Sequence, residues 1–163
     1  MRLKNKVALI TGAAQGLGAA IAKRFAEEGA TVFLCDNNAE AGNRTTLEIE
    51  DSGGKAFFQP LDVTKEDSWI AAMAPVVLNC DRLDVLVNNA GINIRETIEE
   101  MKEENLDAML AVNVKGPFLG IKHAIPLMRK GGGGSSSTCL RSAAWSGTST
   151  HQTRIRSPRT RSR

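Results

Sequence analysis

Val7-Ala8-Leu9-Ile10-Thr11-Gly12-Ala13-Ala14-Gln15-Gly16-Leu17-Gly18 begins as a run of apolar and β-branched residues and ends on three glycines spaced Gly-x3-Gly-x-Gly. Val7 to Thr11 reads as a strand. Gly18 to Glu28 reads as an amphipathic helix, with Ala19, Ala22, Phe25 and Ala26 on one face, Lys23, Arg24, Glu27 and Glu28 elsewhere, and Gly29 as its C-cap. A glycine-rich turn between strand and helix lets backbone N–H groups approach a pyrophosphate closely, and the helix N-terminus adds unsatisfied donors and a positive dipole end. A merely structural tight turn would use the same residues, so the turn takes its meaning from its surroundings.

Outward from this turn, short β-branched runs alternate with amphipathic stretches. Strands are expected at Thr31 to Cys35, Ala56 to Gln59 and Leu83 to Val87. Helices are expected from Asn38 to Asp51, from an N-cap at Thr64 to Asn79, and from Glu99 to Arg129 with interruptions at Gly116-Pro117 and Pro126. This alternation predicts an α/β fold, a Rossmann-type doubly wound parallel sheet of strand order 3-2-1-4, over residues 1–130. Asp36 follows the second strand, 18 residues beyond Gly18. A carboxylate there can accept hydrogen bonds from adenosine ribose hydroxyls and would repel a 2′-phosphate, which favours NAD over NADP. The competing reading is that Asp36 only starts a turn with Asn37 and Asn38.

The glycine spacing departs from the GxGxxG dinucleotide fingerprint and resembles the TGxxxGxG motif of the short-chain dehydrogenases/reductases. Three more pieces match that family in order: Leu61-Asp62-Val63, Asn88-Asn89-Ala90-Gly91, and Asn113 within Ala111-Val112-Asn113-Val114-Lys115-Gly116. The resemblance implies cofactor contacts from Gly12, Gln15, Gly16, Leu17 and Gly18, and ribose contacts from Asp36. It places Asp62 and Val63 against adenine, with the carboxylate reaching the exocyclic amine, and has Asn89, Ala90 and Gly91 stabilise the sheet end and line the cofactor. Asn113, a poor helix former inside a helix, would contribute to a local distortion that holds a water in the proton-relay path. The alternative for Asn113 is a kink shared with Gly116-Pro117 and no chemistry. The implied activity is NAD-dependent interconversion of a secondary alcohol and a ketone, with hydroxysteroid or cyclic-alcohol dehydrogenases as the nearest neighbours.

The rest of the family's catalytic set is not found. The family uses a Tyr, a Lys four residues later and an upstream Ser, whereas this sequence has no tyrosine and its last lysine is Lys130. Ser135, Ser136, Ser137 and Ser142 lie near the expected Ser position, in a stretch of linker composition that predicts no strand to fix them. Ser136 through Arg159 can be back-translated so that a shifted reading frame supplies Ser-Ser, Tyr and Lys at the family's mutual spacing. A frameshift or truncation ahead of the Tyr/Lys element is therefore the expected origin of the tail. The chain would keep the dinucleotide-binding half and be catalytically inactive; the alternative is an NAD-binding module that works without turnover.

Composition bounds the remaining readings. A hydrophobic content of 42% with 24% charged residues suits one soluble globular domain, and no apolar run approaches the length of a membrane span. A cytoplasmic protein is expected, without a membrane partner. Cys35, Cys80 and Cys139 show neither a disulfide framework nor metal-ligand spacing, so no metal is expected. All 18 acidic residues precede residue 131, and six arginines follow it. Residues 131–163 are expected to be a disordered Gly/Ser/Arg-rich tail. Such a tail could attract nucleic acid, a reading weakened by the lack of interleaved aromatics. With no fifth strand, the sheet would end at the fourth with an exposed edge, favouring aggregation. Small-molecule alcohols or ketones and a second copy of the chain are the partners the resemblance implies for an intact relative.

Overall fold

The computed structural model describes residues 1–97, 99–140 and 149–156, the last of these as backbone only. The elements are β1 (Val7–Thr11), α1 (Gly16–Glu27), β2 (Thr31–Asp36), α2 (Ala39–Asp51), β3 (Lys55–Pro60), α3 (Glu66–Cys80), β4 (Val85–Asn88), α4 (Glu103–Leu110), a π-helical turn (Ala111–Lys115), α5 (Gly116–Lys130), β5 (Gly133–Leu140) and β6 (Ser149–Arg156). They build one sheet of order β3-β2-β1-β4-β5-β6. Its first five strands are parallel, and β6 runs antiparallel to β5.

β1 is buried along its whole length because helices cover both faces of the sheet, which is why its sequence is a continuous apolar run. Successive residues of a strand point to opposite faces. Ile10, Val32 and Leu34 accordingly join Ala22 and Ala26 of α1 and Ile49 of α2 in one core. Leu9, Phe33 and Leu86 join Trp69 and Met73 of α3 and Leu119 and Met128 of α5 in the other. The register pairs Thr11 with Cys35 and Asp36 with Pro60, and the β1–β4 ladder reaches Ile10 opposite Val87. The carboxyl ends of these strands thus share one edge, where ligand crevices of open α/β sheets form.

The sheet does not end at β4. Gly133–Leu140, expected to be part of an unstructured tail, forms β5, with Val85 opposite Ser135 and Asn88 opposite Thr138. Ser135, Ser136 and Ser137 therefore lie in a strand and not in a linker. A bare β4 edge presents a row of backbone donors and acceptors, and any chain that can extend beside it satisfies them without an apolar side-chain pattern. The Ser135 N–H, for example, donates to the Asp84 carbonyl at 2.8 Å. The backbone of 149–156 adds β6 outside it. Ser142 and the expectation of disorder for 141–148 and 157–163 fall outside the described residues.

Two other expectations change. Thr64 does not cap α3, because its hydroxyl is used on Asp62 Oδ1 at 2.7 Å and Lys65 occupies the cap position. The expected helix from Glu99 to Arg129 becomes α4, the π turn and α5. Gly116-Pro117 starts α5, where proline needs no N–H partner, and Pro126 lies within α5 without ending it. The distortion falls not at Gly116-Pro117 but at 111–115, around Asn113, where the resemblance also implied one.

Candidate functional site

The glycine-rich turn, the ends of β2 and β3 and the loop after β4 surround a cleft of about 660 Å³. That is an ordinary size for a small-molecule site. Gly12, Gln15, Gly16, Leu17, Asp36, Asp62, Val63, Asn89, Ala90 and Gly91 all line it. Of the positions expected to touch a cofactor, only Gly18 stands behind the wall.

The glycines divide the work. A Cβ on Gly18 would lie 2.1 Å from the Gly12 carbonyl oxygen, so Gly18 permits the close approach of α1 to the end of β1. Gly12, at φ +64°, leaves room for Ala90, whose Cα would be 2.9 Å from an added Cβ. Gly16 has φ +60° with no atom within 4 Å of an added Cβ, so its exposed side is open. α1 begins at Gly16 after Gln15, which makes no side-chain cap, and has no acidic residue in its first turn. An open glycine at an acid-free helix N-terminus is a fitting cradle for a diphosphate.

The loop after β4 is locked to the end of β1. Thr11 Oγ1 accepts from the backbone N–H groups of Asn89 at 3.1 Å and Ala90 at 3.0 Å. The Asn89 amide Nδ2 donates to the carbonyls of Thr11 and Gly12, both at 3.0 Å. Asp36 at the end of β2 also works locally. Its Oδ2 accepts from Ala14 N–H and its Oδ1 from Asn38 N–H, each at 3.0 Å. The turn reading of Asp36 and its place in the cleft are thus both realised, since a carboxylate has lone pairs for more than two donors.

Asp62 faces the cleft beside Val63. Its carboxyl is held below the usual carboxylate range chiefly by the Thr64 hydroxyl, with the Thr64 N–H and Lys65 adding to it against the opposing effect of burial. The loop itself is pinned from α3: Ser68 Oγ accepts from Asp62 N–H at 2.9 Å, and Trp69 Nε1 donates to the Val63 carbonyl at 3.0 Å. Beneath the site, burial pushes the Cys35 thiol far up, with the Asp36 charge adding to the effect. It remains a protonated packing group.

Asn113 is outside the lining, but its neighbour Val112 is part of it. The Asn113 side chain pairs with the backbone of Ile92, accepting from its N–H at 3.0 Å and donating to its carbonyl at 2.9 Å. This clasp ties the π turn to the loop after β4. Sequence reasoning missed Asn37, Leu61, Ile92 and Val112 in the lining and the locking role of Thr11. Thr11, Leu61 and Val112 lie within the quoted motifs, and Asn37 and Ile92 adjoin Asp36 and Gly91, so motif membership and adjacency were the available signals.

A family model described as short chain dehydrogenase matches residues 6–136. Cyclopentanol dehydrogenase from Comamonas testosteroni is 43% identical over 129 residues, covering 79% of this chain and 52% of that protein. A 2,5-dichloro-2,5-cyclohexadiene-1,4-diol dehydrogenase from Sphingobium indicum is 51% identical over 134 residues, covering 82% of this chain and 54% of that protein. The crystal structure of a short-chain type dehydrogenase/reductase from Mycobacterium marinum superimposes with a TM-score of 0.80 at 34% identity, covering 83% of this chain and 56% of that one. The chain belongs to the short-chain dehydrogenase family of oxidoreductases. It spans about half the length of the curated relatives it matches. Among the described residues, no helix is long and apolar enough to cross a membrane.

Proposed function

We infer that this chain carries the adenosine-diphosphate half of a nicotinamide-dinucleotide site, prefers NAD to NADP, and does not turn over alcohol by itself. The observation that carries this reading is Asp36, whose carboxylate lies on the wall of the same cleft as the open face of Gly16. Gly12, Gly16 and the α1 N-terminus would receive the diphosphate, Asp36 the ribose, Asp62 and Val63 the adenine, and Ala90 and Gly91 the path toward the nicotinamide. When bound, the dinucleotide supplies a hydride acceptor. The tyrosine, with a lysine four residues later, by which the family accepts the alcohol's proton is not in this sequence, which has no tyrosine and no lysine beyond Lys130. Asn113 cannot take that part, because a carboxamide is no base at neutral pH; its contribution is to hold Ile92.

Calorimetric titration of NAD, NADP and ADP-ribose into the purified chain tests the reading. NAD and ADP-ribose should bind alike, and NADP should bind weaker by on the order of 100-fold, because like charges held together cost several kcal/mol. Equal affinity for NAD and NADP would remove the role given to Asp36. Formation of NADH from secondary alcohols, cyclopentanol among them, would overturn the claim of no turnover. For a complete relative, cyclic secondary alcohols are the substrate class favoured by the names of the two similar dehydrogenases.

Self-association belongs to the same reading. Leu106, Leu110, Val114 and Phe118 are all exposed along α4, the π turn and α5. Glu103 and Asp107 are exposed beside the first half of this stripe and Lys115 beside the second, while Lys122 pairs with Glu66. Two copies crossing antiparallel would therefore set acid against base, and sedimentation should show a dimer that Leu110→Glu dissociates.

A further inference from the structure

We propose that Thr45, on the second turn of α2, is a positioning residue that sets the diphosphate-binding turn from behind. The inference rests on the dinucleotide reading of the cleft. Thr45 is buried, at 5% exposure, and its hydroxyl donates to the Ala14 carbonyl at 2.8 Å. The N–H of Ala14 donates to Asp36 Oδ2, whose other oxygen holds Asn38, and the Asn38 side chain caps α2 through the Ala41 N–H at 3.0 Å. Ala14, itself buried, is thus gripped at both its donor and its acceptor by β2 and α2.

A trans peptide is planar, with its C=O and N–H pointing in opposite directions. Fixing the Ala14 carbonyl on Thr45 therefore turns the Gln15 N–H away from α2. Gln15, with φ −156° and ψ 173°, leads into Gly16, and both line the cleft. Freed from Thr45, this peptide plane could rotate, and the donors that follow it would lose their common aim. Nothing in the glycine motif points to a threonine 31 residues from the carbonyl it holds.

The test compares Thr45→Val, which keeps the shape and removes the hydroxyl, with Thr45→Ser, which keeps the hydroxyl. Thr45→Ala serves should the valine variant fail to fold. Titration with ADP-ribose and with adenosine, which has no diphosphate, should show Thr45→Val weakening ADP-ribose roughly tenfold while adenosine stays within about twofold. Thr45→Ser should bind ADP-ribose as the unaltered chain does. Undiminished ADP-ribose affinity in Thr45→Val, or an equal loss for both ligands, overturns the proposal. If the unaltered chain binds no ADP-ribose, the dinucleotide reading fails separately. Amide hydrogen exchange then decides: faster exchange across 14–17 in Thr45→Val but not Thr45→Ser supports the grip, and unchanged exchange overturns it.

Discussion

At the end of β1 the buried Thr11 hydroxyl receives two backbone N–H groups, while one strand beyond β4 the equally buried Ser136 hydroxyl has no partner among the described residues. The two lie in one sheet but are held differently. Around the cleft, side chains specify the geometry: Thr11 and Asn89 lock two strand ends, Asp36 and Thr45 grip Ala14, and Gly12 and Gly18 leave room for close contacts. In β5 the backbone ladder does the holding, and small residues are tolerated because they obstruct nothing. Gly134 is one of them, since a Cβ there would come within 2.5 Å of Met128 Cγ. A parallel sheet can thus gain a strand whose sequence carries no strand pattern, provided its neighbour offers a free edge.

This contrast can be broken most sharply at Gly18. Gly18→Ala must displace the Gly12 carbonyl or the Asn89 amide, and urea denaturation should register a loss of roughly 3 kcal/mol. A loss below about 1 kcal/mol would mean that the cleft is not over-determined by its side chains. In β5 the backbone is the place to strike. Ser135→Pro removes the N–H given to Asp84 and should cost about 2 kcal/mol, while Ser135→Ala should change stability by less than about 0.5 kcal/mol. Equal effects of the two would contradict a strand held by its backbone.

Asp84 sits at the junction of the two regions. Burial alone would raise its carboxyl, but the Arg82 guanidinium, the Val7 N–H and Lys6 together hold it below the usual carboxylate range. A group depressed in the folded state contributes stability above its unfolded value, near pH 4, and loses it as pH falls from there through the folded value. Asp84→Asn should therefore cost about 1.5 kcal/mol at neutral pH, discounted because Lys6 and Arg82 are partly exposed. The difference from the unaltered chain should close toward acid pH, and a gap independent of pH would assign the effect to packing alone. Opposite in sign, Ser136→Ala removes a hydroxyl that has no partner among the described residues and should raise stability by about 1 kcal/mol, read as a higher melting temperature. A decrease would show that Ser136 has a partner.

Much of the fold was legible because its signals are local. β1 to β4 announce themselves by apolar runs, and α1 and α2 by one-sided patterns, to within two residues of their observed bounds. The cleft was legible where the family motif names a residue, as at Gly16, Asp36, Asp62 and Asn89. It was not legible where a residue acts through distant backbone, as Thr45 does on Ala14 and Asn113 does on Ile92. β5 was missed for a different reason. Gly133, Gly134 and three serines have linker composition, and the information that makes them a strand resides in the unpaired edge of β4.

The π turn at Ala111–Lys115 has a consequence for the outside of the molecule. In an uninterrupted α-helix each step of four residues advances about 40° around the axis, so three steps from Leu106 would carry Phe118 about 120° away. A π turn accommodates one extra residue in its circuit, setting the count back by about 100°. Leu106 and Phe118 then differ by only about 20° in azimuth, which draws the four exposed apolar side chains onto one side as a ridge. Deleting a single residue from 111–115 would restore the regular winding, untie Asn113 from Ile92, and twist that ridge out of line at the same stroke.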